Sequence, residues 1–572
     1  MISNLIVSEW IVEELVRLGV NQFIISPGSR STPLTVAIAR HSRAKTIVHY
    51  DERGAAFYAL GYAKATRVPA VLVCTSGTAV ANYFPAVIEA SMDNIPLIIL
   101  SADRPPELID VGANQAIFQE NIYGVYPRLS RNLPPPDDQS SFEALMKVVD
   151  ELYDHATGDR PGPVHLNCQF REPLLPQDDS DQTTLPVNQK WLDSSARFTP
   201  GNNNILPADT KTLDSIHEKL QQAQTGLIVV GRSLESAYNS EIIEFTHSLG
   251  WPILPDVQSE LRFTQDGHIV NHYDLALLSA ELKNMKPEMV IHFGGAFTSK
   301  RLLQYLNDPE IFYISIKETP ERIDPNHQVN LSLQMRIGKF CQTLKPKNRD
   351  QSSNWLTSWQ QAEGNCSNNI SQIMSQMSGL TEPMISYQLS NLIPDDHNLM
   401  LANSMSIREM EMFGSAGHFK GHVVANRGSS GIDGLLATAA GYQKGSQAPL
   451  TLLIGDLAFL HDLNSLQLVQ RSDFPIIIVV INNNGGGIFN FLPVRSETDI
   501  FEPFFGTPHG LSLKSAADLF GLSYSNPDKL TDFVASYHEA SKASQSTLIE
   551  ITTERDDNQR LHQEIFRQLS EI

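Results

Sequence analysis

Two short clusters stand out in the 572-residue sequence for what their side chains could bind. Gly455-Asp456-Leu457 follows one apolar run, and Asn482-Asn483-Asn484-Gly485-Gly486-Gly487 follows the next. Asn483 lies 27 positions after Asp456. A helical pattern, Asn464–Arg471, fills the interval, which suits one helical crossover between neighbouring parallel strands. Both turns then fall side by side at the carboxyl edge of a sheet, where open α/β folds bind ligands. Asp456 offers a carboxylate oxygen and Asn483 an amide oxygen, and the glycine run lets a backbone carbonyl such as that of Gly485 turn inward. These are the hard oxygen donors that magnesium takes before completing its octahedron with phosphate and water. Asp456 is expected just ahead of a helix, whose N-terminus could also meet a phosphate. Taken alone, the same residues also describe two ordinary turns, with Asp456 as a helix cap.

A third candidate lies far upstream. Glu52 sits in His49-Tyr50-Asp51-Glu52-Arg53-Gly54-Ala55-Ala56, after the apolar pair Ile47-Val48, and opens a helical stretch Glu52–Ala65. An acid in a first helical turn is favourable for dipole reasons alone. A carboxylic acid poised there could equally serve proton transfer if an apolar setting kept it protonated.

The elements that must position these residues follow an α/β rhythm. Phe23–Ser26, Ala70–Cys74, Pro96–Ser101 and Val164–Asn167 read as buried strands separated by helical patterns. Gly226–Gly231 and Met289–Gly295 read as strands ending in glycine turns, and Leu450–Ile454 and Ile476–Ile481 as strands of a buried parallel sheet. Polar stretches at about Pro173–Thr210 and Lys345–Asn354 read as linkers. The sequence therefore predicts three doubly wound parallel-sheet domains, at 1–185, 200–350 and 375–572. No repeat of 20–50 residues is visible.

Composition excludes several functions. The net charge of −21 argues against nucleic-acid binding, though a few local Arg and Lys residues can still receive small anions. Four widely spaced cysteines (Cys74, Cys168, Cys341, Cys366) form no CxxC pair and read as reduced thiols. Residues 1–18 carry Glu9, Glu13 and Glu14 without a basic start and read as an amphipathic helix, not a signal peptide. The longest apolar run, Phe474–Ile481, is far short of the roughly 20 residues of a membrane span. A cytoplasmic protein without membrane partners is expected. A dinucleotide enzyme is not supported, because no GxGxxG follows a strand in the required setting.

The spacing from Gly455 to Asn483 resembles the diphosphate-binding signature of thiamine-diphosphate enzymes, which begins GDG and ends NN; Leu457 departs from its third position. The order Glu52, middle domain, Gly-Asp…Asn-Asn is also the layout of that superfamily. The resemblance implies thiamine diphosphate with Mg2+ or Mn2+. It implies Glu52 against the aminopyrimidine ring, metal ligands Asp456, Asn483 and Gly485, and cofactor contacts from Gly455, Leu457, Phe489 and Ile432. The first domain would be pyrimidine-binding (Pyr), the second Rossmann-like and the third diphosphate-binding (PP).

Longer runs are more specific. They are Ser26-Pro27-Gly28-Ser29-Arg30-Ser31-Thr32-Pro33-Leu34, Thr75 to Asn82, Ala102-Asp103-Arg104-Pro105-Pro106-Glu107-Leu108, Gly112 to Ala116, Asn426 to Gly434, and Asn482 to Phe489. They are similar to the MenD family, the 2-succinyl-5-enolpyruvyl-6-hydroxy-3-cyclohexene-1-carboxylate synthases of menaquinone biosynthesis. The similarity is close over both outer domains and loose over the middle one. It implies a decarboxylating transferase that joins 2-oxoglutarate, as a succinyl-type carbanion, to isochorismate. Both substrates are dicarboxylates, so fixed arginines are expected. Ser404, Arg408 and Arg427 are implied for the 2-oxoglutarate-derived part. Ser29, Arg30, Arg104, Gln115 and Lys300 are implied for isochorismate, with Arg301 an open alternative beside Lys300. His49, His418, His422 and His461 are possible general bases, although cofactor, Glu52 and substrate can carry the proton transfers. The resemblance further implies a homodimer or dimer of dimers with active sites at the chain interface. A carboligase of the acetolactate synthase type, using pyruvate and a flavin, is the alternative.

Overall fold

Continuous apolar runs bounded by glycine and polar turns are what strands buried on both faces require, and they build three all-parallel sheets. A computed structural model of the chain describes residues 3–137, 140–176, 189–199, 210–233, 238–346, 353–377, 379–417 and 419–571. The first sheet comprises β1 (Gln22–Ile25), β2 (Lys45–Val48), β3 (Ala70–Cys74), β4 (Leu97–Asp103), β5 (Leu129–Leu133) and β6 (Pro163–Gln169), in the order β2-β1-β3-β4-β6-β5. The second holds β7 (Gly226–Val230), β8 (Ile253–Pro255), β9 (Met289–Phe293), β10 (Phe312–Lys317) and β11 (Val329–Gln334), in the order β11-β10-β9-β7-β8. The third holds β12 (Asn398–Leu401), β13 (Val423–Val424), β14 (Leu450–Gly455), β15 (Ile476–Asn482), β16 (Ser523–Ser525) and β17 (Thr547–Thr552), in the order β13-β12-β14-β15-β17-β16. The three doubly wound α/β sheets expected from the sequence are present.

The chain divides into two compact units: Met1–Asn204 with Asn426–Ala448 and Phe459–Ile476, and Ile205–Ala425 with Pro449–Ala458 and Ile477–Ile572. In the first unit, β1, β3, β4 and β6 are buried along their whole length, while β2 and β5 form the more exposed edges. Helix Asn4–Arg17 closes one face, its N-cap Ser3 accepting from the Ile6 amide. Helix Leu435–Ser446 lies directly on helix Glu52–Thr66. A Cβ on Gly61 would fall 2.1 Å from the Thr438 carbonyl oxygen, and one on Gly441 would fall 1.9 Å from that of Tyr58. The two helix backbones therefore touch, and only glycine permits it at these points. In the second unit, Trp251, Phe245, Phe293 and Phe340 fill one core of the middle sheet, and Trp355, Trp359 and Tyr273 belong to another.

Two local expectations change. Asp456 is the first residue of helix Asp456–His461, not the residue before it, because β14 runs straight into the helix at Gly455. The pattern Asn464–Arg471 resolves into a 3-10 turn, Leu463–Ser465, and a short helix, Leu466–Gln470. Most of the two expected linkers lies outside the described residues. Within the first, however, Trp191 is buried in the first unit and its indole N–H donates to Glu14 at 2.6 Å.

Candidate active site

In open parallel sheets, backbone groups at strand ends are freed at the carboxyl edge, and side chains on the following turns converge there. The sequence candidates obey this rule in both outer sheets. Ser29 and Arg30 follow β1, Glu52 follows β2 and Arg104 follows β4; Ser404 follows β12, Asp456 follows β14 and Asn483 follows β15.

Within the second unit, Asp456 is buried and organises the turn after β15. Its Oδ2 accepts the Gly485 amide at 2.9 Å, and its Oδ1 accepts the Leu457 amide at 2.6 Å. Gly485 has φ +135°, and a Cβ there would lie 1.9 Å from the Gly506 carbonyl oxygen, so both conformation and space demand glycine. The Asn483 amide nitrogen donates to Glu382 Oε1 at 2.9 Å. That bond directs the other end of the amide, and Asn483 Oδ1 is buried without a hydrogen-bond partner. An orphaned buried amide oxygen beside a buried carboxylate is a donor set that fits a hard divalent cation. Phe489 is half-buried and meets Phe505 edge to face, with ring centroids 5.5 Å apart.

Two residues of this cluster escaped the sequence reading. Glu382 opens helix Glu382–Leu392 and is fully buried; burial, with Glu409 and Asp456 nearby, holds its carboxyl well above the usual range. His509 lies 3.0 Å from Asp456 Oδ2 through Nε2, and its backbone is held by Asn484 Oδ1 at 2.9 Å. Neither belongs to a motif with regular spacing. A buried Glu behind a Thr N-cap resembles any helix start, and a His in a Pro-His-Gly turn resembles any loop.

The Ser404 and Arg408 pair is one helical turn long. Arg408 Nη1 donates to the Ser404 carbonyl, and both side chains are half-buried. Ser404 sits at φ +68°, ψ −124°, a conformation that costs a non-glycine residue about 1–3 kcal/mol and persists at functional sites. Lys300 begins helix Lys300–Tyr305 and is exposed, whereas Arg301 is paired with Asp274. His422 is paired with Glu260 at 2.6 Å, and His418 lies outside the described residues.

In the first unit, Glu52 is half-buried and opens helix Glu52–Thr66 behind the N-cap Asp51, whose side chain accepts the Arg53 amide at 3.0 Å. The Asn82 amide reaches Glu52 Oε2 at 3.5 Å, so the Thr75–Asn82 motif and the glutamate meet. His49 is buried against Gln467, and burial pushes its pKa down. His461 is engaged by Arg53. The Arg30 amide donates to Thr75 Oγ1, which joins two motifs. The Arg30 side chain is 4% exposed and donates to the Phe170 carbonyl and to Glu172, each at 3.0 Å. Two of its nitrogens are therefore held by the chain itself. Arg104 is half-buried, with Nε buried and unpartnered. Ser29 and Gln115 are exposed, and Gln115 lies against Gly77. The loop carrying Arg427 and Ile432 is tied to the buried Glu89, which accepts the Gly428 amide at 2.8 Å, the Ser429 amide at 2.6 Å and the Ser429 hydroxyl at 2.8 Å. Ile432 stands 39% exposed on that glycine-rich loop, unusual for an isoleucine whose neighbours are so firmly held.

Residues 6–122 match the N-terminal binding domain of thiamine pyrophosphate enzymes, and residues 183–401 match the family described as the middle domain of thiamine pyrophosphate. The chain is 41% identical to the 2-succinyl-5-enolpyruvyl-6-hydroxy-3-cyclohexene-1-carboxylate synthase of Rubrobacter xylanophilus, over 99% of this chain and 98% of that protein. It is 40% identical to the synthase of the same name from Salinibacter ruber, over 97% and 95% of the two chains. It is 41% identical to that of Chlorobium phaeobacteroides, over 98% and 97%.

Proposed function

The chain belongs to the 2-succinyl-5-enolpyruvyl-6-hydroxy-3-cyclohexene-1-carboxylate synthase family, and from that membership we infer the reaction and the part each residue takes in it. It is a thiamine-diphosphate-dependent transferase that decarboxylates 2-oxoglutarate and joins the remaining four-carbon unit to isochorismate, in menaquinone biosynthesis. The observation that carries the assignment to these residues is the orphaned Oδ1 of Asn483 in the turn that the buried Asp456 holds through the Gly485 amide.

When bound, thiamine diphosphate supplies a nucleophilic carbon and the electron sink that decarboxylation needs. Asp456, Asn483 and the Gly485 carbonyl would hold the Mg2+ or Mn2+ that carries the diphosphate, with Gly455 and Leu457 contributing backbone beside it. Glu52 would hold a proton at its carboxyl against the pyrimidine ring. Ile432 and Phe489 would give the cofactor apolar support, and the exposure of Ile432 supports that reading. Arg408 and Arg427, with Ser404, would bind the carboxylates derived from 2-oxoglutarate. Ser29, Arg30, Arg104, Gln115 and Lys300 would receive isochorismate. The buried unpartnered Nε of Arg104 supports its share of this work, and the commitment of Arg301 to Asp274 favours Lys300 over its neighbour.

We assign residues 1–185 as the pyrimidine-binding domain, 200–350 as the central domain and 375–572 as the diphosphate-binding domain. The enzyme is a homodimer or dimer of dimers, with the first domain of one chain facing the third of another. Val48 and Tyr50, 49% and 54% exposed just before Glu52, support a covered surface there. A cytoplasmic location agrees with four buried, unpaired thiols.

The test is one assay with purified protein, Mg2+ and thiamine diphosphate, supplying 2-oxoglutarate with and without isochorismate, or pyruvate instead. An isochorismate-dependent adduct with carbon dioxide release is expected, abolished in Glu52→Gln while cofactor binding persists. Turnover of pyruvate alone would favour the acetolactate-type reaction, and wild-type turnover by Glu52→Gln would remove Glu52 from its role.

A further inference from the structure

Outside all the residues assigned so far, the middle sheet carries two imidazoles and a carboxylate drawn together from opposite sides. His247 lies in the last turn of helix Asn239–Leu249, which ends at a left-handed Gly250. Asp266 and His268 come from the turn that follows β8. That turn is pinned to the sheet: the Ile253 amide donates to the His268 carbonyl at 2.7 Å, and the Val270 amide donates to the Ile253 carbonyl at 2.9 Å. Asp266 meets both rings at their nitrogen edges. His247 Nε2 is 3.0 Å from both of its oxygens, and His268 Nδ1 is 3.7 Å from Oδ1. One ligand atom from each residue lies within 4.8 Å of the others.

We propose that His247, Asp266 and His268 form a zinc-class transition-metal site on the middle sheet, distinct from the magnesium ligands Asp456 and Asn483. Two neutral imidazoles with one carboxylate are the donors of a borderline cation, whereas magnesium and calcium take oxygen alone. A tetrahedral zinc with bonds of about 2.0–2.2 Å needs its ligands about 3.4 Å apart, and the present separations bracket that value. The setting favours a cation for a further reason. The site is at the C-terminal turn of a helix, where the dipole is negative. Access is graded: the His268 side chain is 10% exposed, Asp266 18% and His247 43%. An ion can enter past His247 and keep a water as fourth ligand, and it would clip the helix end to the turn after β8.

The test uses the full-length enzyme stripped with a chelator and then saturated with Mg2+ and thiamine diphosphate, so that the oxygen site is filled. Calorimetric titration with zinc chloride should give one equivalent per chain at micromolar or tighter affinity, and should raise Tm. His247→Gln and Asp266→Asn should each weaken that binding by at least about 100-fold and remove the Tm rise, with turnover retained. On the unmutated enzyme, Co2+ should give the intense visible absorption of a tetrahedral nitrogen-containing site. No zinc uptake above the filled magnesium site, unmutated-enzyme affinity for zinc in either variant, or a pale octahedral Co2+ spectrum would each overturn the proposal.

Discussion

Glu89→Gln isolates the part of the first unit that presents Arg427 and Ile432. Glu89 is 1% exposed, and its two oxygens accept three hydrogen bonds from Gly428 and Ser429. Lys64 Nζ lies 3.8 Å from Oε1, so the carboxylate also answers a buried ammonium. A glutamine can keep its oxygen where it serves Ser429 twice, but its NH2 then faces the Gly428 amide. One bond is lost, a buried donor is left unmet at about 1–3 kcal/mol, and Lys64 loses the more distant of its two carboxylates, keeping Asp93 at 2.6 Å. Taking about 2–3 kcal/mol for the whole and about 1.4 kcal/mol per factor of ten, kcat/KM for 2-oxoglutarate should fall about 30- to 140-fold if the loop must be re-ordered in each productive complex. Steady-state kinetics on the variant, with Tm as the control for global folding, provides the measurement. Wild-type kcat/KM would refute the reasoning whether Tm was kept or lost, since the bonds would then hold the fold without positioning the loop.

Two further outcomes are expected. Asp456→Ala removes the charge of a proposed metal ligand and orphans the Gly485 amide, so magnesium-dependent affinity for thiamine diphosphate should drop by about 100-fold or more; unchanged affinity by calorimetry would count against the metal assignment. His165 is buried against the Ser101 hydroxyl at 2.7 Å, and burial depresses its pKa to about 3. A depressed folded pKa means that the unfolded chain takes the proton first, so its stabilisation is complete above about pH 6.5 and is lost as pH falls toward 3. Between pH 7 and pH 5 it should cost about 2 kcal/mol at 1.36 kcal/mol per unit, and His165→Asn should remove that increment from urea denaturation midpoints compared at the two pH values.

The strands were legible because each is a continuous apolar run, as at Ala70–Cys74, where the expected and observed limits coincide. The turn after β15 was legible because glycine is forced there by φ +135° at Gly485 and by the Gly506 carbonyl against it. The supporting shell was not. Glu382 reaches Asn483 across 101 positions, and Glu89 reaches Ser429 across 340. Such bonds are set by how elements pack, and a single buried glutamate in a helix carries no local periodicity that distinguishes it from a surface one. The packing of helix Leu435–Ser446 on helix Glu52–Thr66 was hidden for the same reason: its signal is two glycines, Gly61 and Gly441, far apart in sequence.

The first and third sheets share one strand order, since β12 to β17 repeat the arrangement of β1 to β6. Matching turns can therefore be compared directly. The turn after β14 begins with Asp456, and its counterpart after β3 begins with Thr75; the turn after β15 holds Asn483, and its counterpart after β4 holds Arg104. One frame thus presents anionic and amide oxygens at the positions where the other presents a hydroxyl and a guanidinium. A divalent cation with its diphosphate suits the first set, and a carboxylate substrate suits the second. The shared topology supplies the edge at which ligands meet backbone, but it cannot say which ligand. That choice rests on the few residues just beyond each strand, so exchanging the residues at Thr75 and Asp456 should abolish metal binding in the third sheet without creating it in the first, where the amide that a buried carboxylate orients, Asn167 on Asp103 at 2.8 Å, has its oxygen already accepting from Ser101 and Gln119.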